Sequence, residues 1–161
     1  MTTLDATLRS AEEQDLDAIV ELLGDIEKYY GAVHIDSTEV LTAQTRRALF
    51  GDFPMAQALV CFDGSSQALI GFASYSFLWP ASGATHTLFV KELFVAESHR
   101  GKGLGTLLFE QILQIANSRE DCSRVEWTAD RNNPTATRFY TAQGFKEDEG
   151  KVYYRWSKPE Q

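Results

Sequence analysis

Hydrophobic positions along the chain recur at two spacings, and the changes between them mark out its elements. Residues 7–9 (TLR) read as a first strand. Ser10-Ala-Glu-Glu13 has the form of a capping box, and Leu16, Ile19, Leu22, Leu23, Ile26 and Tyr30 then repeat at helical spacing, which predicts a core-facing helix. A second helix is predicted from about Ser37 to Leu49, closed off by Phe53-Pro54. Ala56–Phe62 and Ala68–Trp79 read as strands joined by the turn Asp63-Gly64-Ser65-Ser66. Thr87–Val95 is a further strand, and a helix follows from about Gly103 to Asn117 with Leu104, Leu108, Ile112 and Ile115 on one side. Ser123–Ala129 is strand-like. Asn133-Pro134 supplies an N-cap and a first-turn proline for a helix that reaches Ala142 and stops at Gly144. Phe145–Lys146 and Lys151–Ser157 are predicted to form a closing hairpin around Asp148-Glu149-Gly150. The order β-α-α-β-β-β-α-β-α-β-β implies an α/β fold of the α+β kind, a mixed sheet flanked by helices.

Composition narrows the function without naming it. At 161 residues, 43% hydrophobic and 24% charged, residues 1–161 are expected to form a single domain. A net charge of −8 argues against a nucleic-acid partner, and a negative field concentrates small cations. No apolar run approaches the roughly 20 residues that span a bilayer, and the polar start MTTLDATLRSAEEQDLD lacks the features of a signal peptide. Cys61 and Cys122 read as free thiols of a reducing compartment, so the expected location is cytoplasmic with no membrane partner. His34, His86 and His99 have no ligand spacing, and no metal is assigned.

The most informative stretch is Glu92-Leu-Phe-Val-Ala-Glu-Ser-His-Arg100-Gly-Lys-Gly-Leu-Gly105. It is the end of a strand, a polar turn, and R-G-K-G-L-G running into an amphipathic helix. Backbone N–H groups in such a turn converge on one point, and the helix dipole favours negative charge there. Glycines let the chain approach a phosphate, and Arg100 and Lys102 add charge-assisted contacts. A Walker A string is absent, and Gly101-Lys102-Gly103 lacks the third glycine of a dinucleotide fingerprint.

Arg100-x-x-Gly103-x-Gly105 resembles the R/Q-x-x-G-x-G/A acetyl-CoA signature of the GNAT superfamily of N-acetyltransferases. Asn133-x-x-Ala136-x-x-Phe139-Tyr140-x-x-x-Gly144-Phe145 is similar to that family's second signature. Within it, Glu27-Lys28-Tyr29, Gly71–Phe77 and the run from Glu92 to Arg100 are similar to diamine (spermidine/spermine-type) N-acetyltransferases, although that subgroup carries two adjacent acidic residues where this chain has Lys91-Glu92. The resemblance implies a mostly antiparallel central sheet with a V-shaped split between two central strands, near Val95 and Ala129. It implies acetyl-CoA as co-substrate, with its pantetheine arm along Leu93, Phe94 and Val95. The diphosphate then rests on Arg100, Gly101, Lys102, Gly103, Leu104 and Gly105, and Asn133 and Tyr140 touch the same molecule. A homodimer is also implied.

Aminolysis of a thioester requires an amine that has lost its proton and a thiolate that leaves. A lysine-like amine, with pKa about 10.4, is neutral in only about one molecule per thousand at pH 7. The resemblance gives Tyr140 the role of general acid, which a phenol suits. Glu92, a carboxylate inside an apolar strand, is the candidate base, acting directly or through water, and Glu126 is the second candidate. Tyr29, Tyr75 and Trp79, with Tyr30 and Phe77, are candidate walls for an alkylammonium. The function expected is transfer of acetyl from acetyl-CoA to a primary amine of a small diamine-like substrate. The alternatives are a protein or peptide amine as acceptor, and a non-catalytic CoA-binding regulatory module.

Overall fold

The apolar alternation of residues 57–95 becomes the middle of a five-stranded sheet. The computed structural model describes residues 4–159 and divides into two units, Met1–Trp127 and Thr128–Gln161. The first unit holds β1 (Ala6–Ser10), α1 (Leu16–Tyr29), α2 (Thr38–Phe50), β2 (Gln57–Asp63), β3 (Leu69–Leu78), β4 (His86–Val95), α3 (Leu104–Asn117) and β5 (Cys122–Trp127). The strand order is β1-β2-β3-β4-β5. The first four strands pair antiparallel, and β5 runs parallel to β4 after the α3 crossover.

Each sheet face is covered by a different helix. Ile19, Leu22 and Ile26 of α1 pack on Ala58, Val60 and Phe72. On the other face, Leu104 and Leu108 of α3 press against Gly71, where a Cβ would stand 3.1 Å from Leu108 Cδ1 and 3.1 Å from Cys61 Cβ. A side chain at 71 would make Leu108 and Cys61 give by a few tenths of an ångström. Phe109, which the predicted α3 stripe omitted, is fully buried and meets Trp127 edge-on at 4.7 Å.

Three expectations need correction. The capping box lies two residues later than predicted: Ser10 is taken into β1 opposite Leu59, and Glu12 and Asp15 form the box instead, opening a 3-10 turn at Glu13–Asp15. Tyr30 is 65% exposed because α1 ends at Tyr29, so it is no part of the core. In the second unit, α4 (Pro134–Ala142) is as expected, but no strand follows it among the described residues. Phe145–Lys146 is too short to hold a ladder, Asp148 Oδ1 closes a local turn on the Gly150 N–H at 2.9 Å, and Val152, Tyr153, Tyr154 and Trp156 stand exposed. The sheet split therefore falls between β4 and β5, with β5 an edge strand.

Asp15 ties β1 to the start of α1. Arg9 donates to its two oxygens at 2.6 and 2.9 Å, and the Glu12 N–H adds a third bond at 2.8 Å. Those bonds, Arg9's first, outweigh burial and hold the carboxyl below its usual range. Its stabilising contribution is therefore complete above the ordinary carboxylate pKa, near 3.9, and is lost as pH falls through the lowered value. Asp15→Asn is expected to cost about 2–3 kcal/mol in urea unfolding at pH 7, with the gap to wild type closing below about pH 3.

Candidate active site

β4 is paired on both sides only along its first half. The β5 register ends at Val90↔Trp127, whereas β3 follows β4 up to Val95. The two parallel strands thus part after Val90, leaving one edge of residues 91–95 uncovered by β5. Ala96 N–H donates to Ile70 O on the β3 side at 2.8 Å. Strand alternation then aims the N–H and C=O groups of Val95 and Leu93 at the uncovered edge.

The parting point carries a β-bulge. Ser74 faces Glu92 and Tyr75 faces Val90, so Lys91 has no β3 counterpart. The extra residue resets the alternation. Glu92 shares the α1 face with Ser74, Phe72 and Phe94, while Val90 lies with Tyr75 on the α3 face. Without the bulge, Val90 and Glu92 would share a face. Glu92 is half-buried, and burial pushes its carboxyl above the usual range. Lys91 and the Leu93 N–H pull it back in part, and the charge of Glu27 adds to the rise.

Beyond Val95 the chain makes a 3-10 turn (Glu97–His99) and enters α3 through two glycines in the left-handed region, Gly101 at φ 73° and Gly103 at φ 84°. Arg100 N–H reaches Glu97 O at 3.2 Å, and the first bond of α3 runs from Leu107 N–H to Gly103 O at 3.0 Å. Between them, the N–H groups of residues 101–106 find no acceptor among the described residues. A row of unpaired amides at a helix N-terminus fits a diphosphate.

The two basic side chains of the turn are engaged with the protein. Arg100 Nε donates to Val95 O at 2.9 Å, and its guanidinium carbon lies 5.5 Å from the Tyr29 ring centre and 5.7 Å from that of Phe94. Lys102 Nζ donates to Ser98 O at 3.0 Å. Glu92, Leu93, Phe94, Val95, the 100–105 turn and Tyr29 are thus grouped at one end of β4. The other proposed amine contacts are not grouped with them. Tyr75 is buried on the α3 face with its hydroxyl on Gln57 Oε1 at 3.0 Å. Trp79 lies past the far end of β3, exposed, with Nε1 on Ala84 O at 2.9 Å. Glu126 shares the Glu92 face but is paired with Arg124 at 2.8 Å.

In the second unit, Asn133 Oδ1 accepts the Ala136 N–H at 3.1 Å and so acts as the N-cap of α4. Two residues before the helix end, Tyr140 stands half-buried with Phe139 edge-on at 5.2 Å. Among the described residues no group of His, Cys, Asp and Glu is arranged to hold a metal, and no helix is long and apolar enough to cross a membrane. The bulge at Lys91 and the closure of Arg100 onto Val95 were not anticipated, and neither leaves a mark on sequence periodicity.

Comparison with known proteins converges on one family. Residues 19–145 match the model described as "Acetyltransferase (GNAT) family". A human protein, "Spermidine/spermine N(1)-acetyltransferase-like protein 1", is 24% identical over 95% of this chain, which spans only 23% of that protein's length. The mouse "Thialysine N-epsilon-acetyltransferase" is 23% identical, with 92% of this chain and 91% of the relative covered. Among solved structures, an integron cassette protein from the mobile metagenome of V. cholerae superposes with a TM-score of 0.85 at 27% identity, covering 97% of this chain and 94% of the other.

Proposed function

Since the chain belongs to the acetyltransferase (GNAT) family, whose members are acetyl-CoA-dependent N-acetyltransferases, we propose that its acceptor is a small cationic primary amine of the diamine or lysine type. The observation that carries this reading is Glu92, a half-buried carboxylate with a raised pKa at the parting of β4 and β5, beside the unpaired amide turn. A carboxyl shifted upward is a stronger base once ionised, which suits removal of a proton from an alkylammonium. The two curated relatives are named for spermidine/spermine and for thialysine, both alkyl amines.

In this reading the turn amides of residues 101–106 bind the diphosphate and the uncovered edge at Leu93 and Val95 pairs with the pantetheine amides. Glu92 takes a proton from the substrate ammonium, directly or through one water. The freed nitrogen attacks the thioester carbonyl, the C–S bond breaks as Tyr140 supplies a proton to the departing sulfur, and the proton shed by the newly acylated nitrogen returns through water to the Tyr140 phenolate. Tyr29 and the face of Phe94 offer aromatic surface to the cation. Asn133 contributes through its side-chain amide while its oxygen caps α4. A cytoplasmic homodimer belongs to the same reading, and sedimentation equilibrium at twice the chain mass is its expected outcome.

Gly103 tests the diphosphate assignment. Valine at φ 84° is strained by about 1–2 kcal/mol whatever the space around it. Gly103→Val is expected to weaken acetyl-CoA at least about tenfold in calorimetry, with the circular dichroism spectrum unchanged. The acceptor is tested by thiol release from acetyl-CoA against diamines, lysine analogues, aminoglycosides and peptides, with mass spectrometry of each product. Mono-acetylation of short diamines or lysine analogues ahead of peptides is expected. Turnover confined to peptide amines would reject the small-amine reading.

A further inference from the structure

The two left-handed glycines of the turn that presents the amides have no packing of their own. A Cβ on Gly101 or Gly103 would meet nothing within 4 Å, and Lys102 only ties the turn to itself through Ser98 O. A tie to a separate hairpin comes from His99. Its Nε2 stands 3.6 Å from Asp63 Oδ1, at ion-pair range, and both side chains are largely buried. Asp63 closes β2 and is held firmly: its Oδ2 accepts from the Ser65 hydroxyl at 2.7 Å, the Ser66 N–H at 2.8 Å and the Ser66 hydroxyl at 2.7 Å. The other oxygen is thereby aimed at the imidazole. On the far side of the ring, Nδ1 meets Ser98 Oγ at 2.9 Å. The carboxylate is fixed in the hairpin, and His99 links the turn to it in addition to the tie of Arg100 to Val95 O, so the anchor is Asp63 and the tethered part is the turn.

We infer that Asp63, acting through His99, is a positioning residue that holds the 97–105 turn in the shape required to bind the acetyl-CoA diphosphate. The inference rests on the placement of acetyl-CoA made above. Asp5 lies beside Gly64 on the hairpin side, and Glu97, Arg100 and Lys102 are the other charged residues of the turn. The tether is strongest when the imidazole is protonated, since a charged pair outweighs a neutral contact at this distance.

The test separates tethering from simple charge attraction because the two predict opposite signs for one variant. Asp63→Asn removes a negative charge near an anion site. If Asp63 acted only through space, that change would tighten acetyl-CoA binding. A tether predicts the reverse, a loss of about tenfold in affinity. His99→Gln is expected to weaken binding by a similar factor, and the double variant to be no worse than either single one. Ser98→Ala keeps both charges, frees the ring, and is expected to lose several-fold without touching the hairpin. In all three, kcat at saturating acetyl-CoA stays within about twofold of wild type, because no reacting group is altered. Calorimetry with acetyl-CoA, with melting curves as a fold control, reads every arm. Tighter binding by Asp63→Asn, or unchanged affinity in His99→Gln and Ser98→Ala, overturns the inference. A wild-type protein that does not bind acetyl-CoA at all would instead remove the function on which it rests.

Discussion

Tyr140→Phe is expected to lower kcat by about 10²–10⁴-fold while leaving the affinity for acetyl-CoA nearly intact. That range is what a positioned proton donor contributes. Phenylalanine keeps the ring, so the edge-on contact with Phe139 survives, and the backbone carbonyl at 140 still accepts from the Gln143 and Phe145 N–H groups. What the variant would lose, in the proposed role, is the proton offered to the departing sulfur. Activated thioesters whose thiolates leave without a proton should recover part of the lost rate in this variant. A fall below threefold, with thiol release measured at saturating substrates, assigns Tyr140 to packing.

Glu92→Gln is expected to lower kcat by about 10²–10³-fold and to change its pH dependence. Burial raises the Glu92 carboxyl above its usual range. The base form therefore accumulates only as pH climbs through that raised value, and kcat rises with it. Glutamine keeps the shape without the titration, so this limb disappears. Amine ionisation still shapes kcat/KM, which makes kcat the discriminating quantity. Stability moves the other way. A carboxyl with a raised folded-state pKa opposes folding above its unfolded pKa, and fully so above the folded one. The variant should therefore melt at or above the wild-type temperature at neutral pH. Lost turnover without lost stability distinguishes a base from a structural residue.

Much of this arrangement was legible in the sequence because local chemistry determined it. The spacing of Arg100, Gly103 and Gly105 after an apolar strand announced an anion turn, and Gly101 and Gly103 do adopt the left-handed conformation that only glycine takes easily. Asn133-Pro134 marked the start of α4 for the same local reason. Features set by pairing partners were hidden. The bulge at Lys91 depends on how β3 registers against β4, and it decides which face Glu92 takes. Ser10 has good cap chemistry, but pairing with Leu59 draws it into β1 and leaves the cap to Glu12 and Asp15. Tyr75 and Trp79 share a period-two pattern, yet β3 ends at Leu78, so one is buried and the other lies outside the strand. The alternation of residues 151–157 promised a strand, which requires a partner that periodicity alone does not supply. Tyr140 is a different case: no spacing rule points to it, and its proposed role comes from likeness to the family.

The amides of residues 101–106 are where the account is most exposed to test. Hydrogen–deuterium exchange read by mass spectrometry, with and without saturating acetyl-CoA, follows that segment directly. Bound diphosphate should slow exchange of those amides by at least about tenfold, since each gains an acceptor that the protein itself does not supply. Unchanged exchange there, in a sample that calorimetry shows to be loaded with acetyl-CoA, would contradict the site.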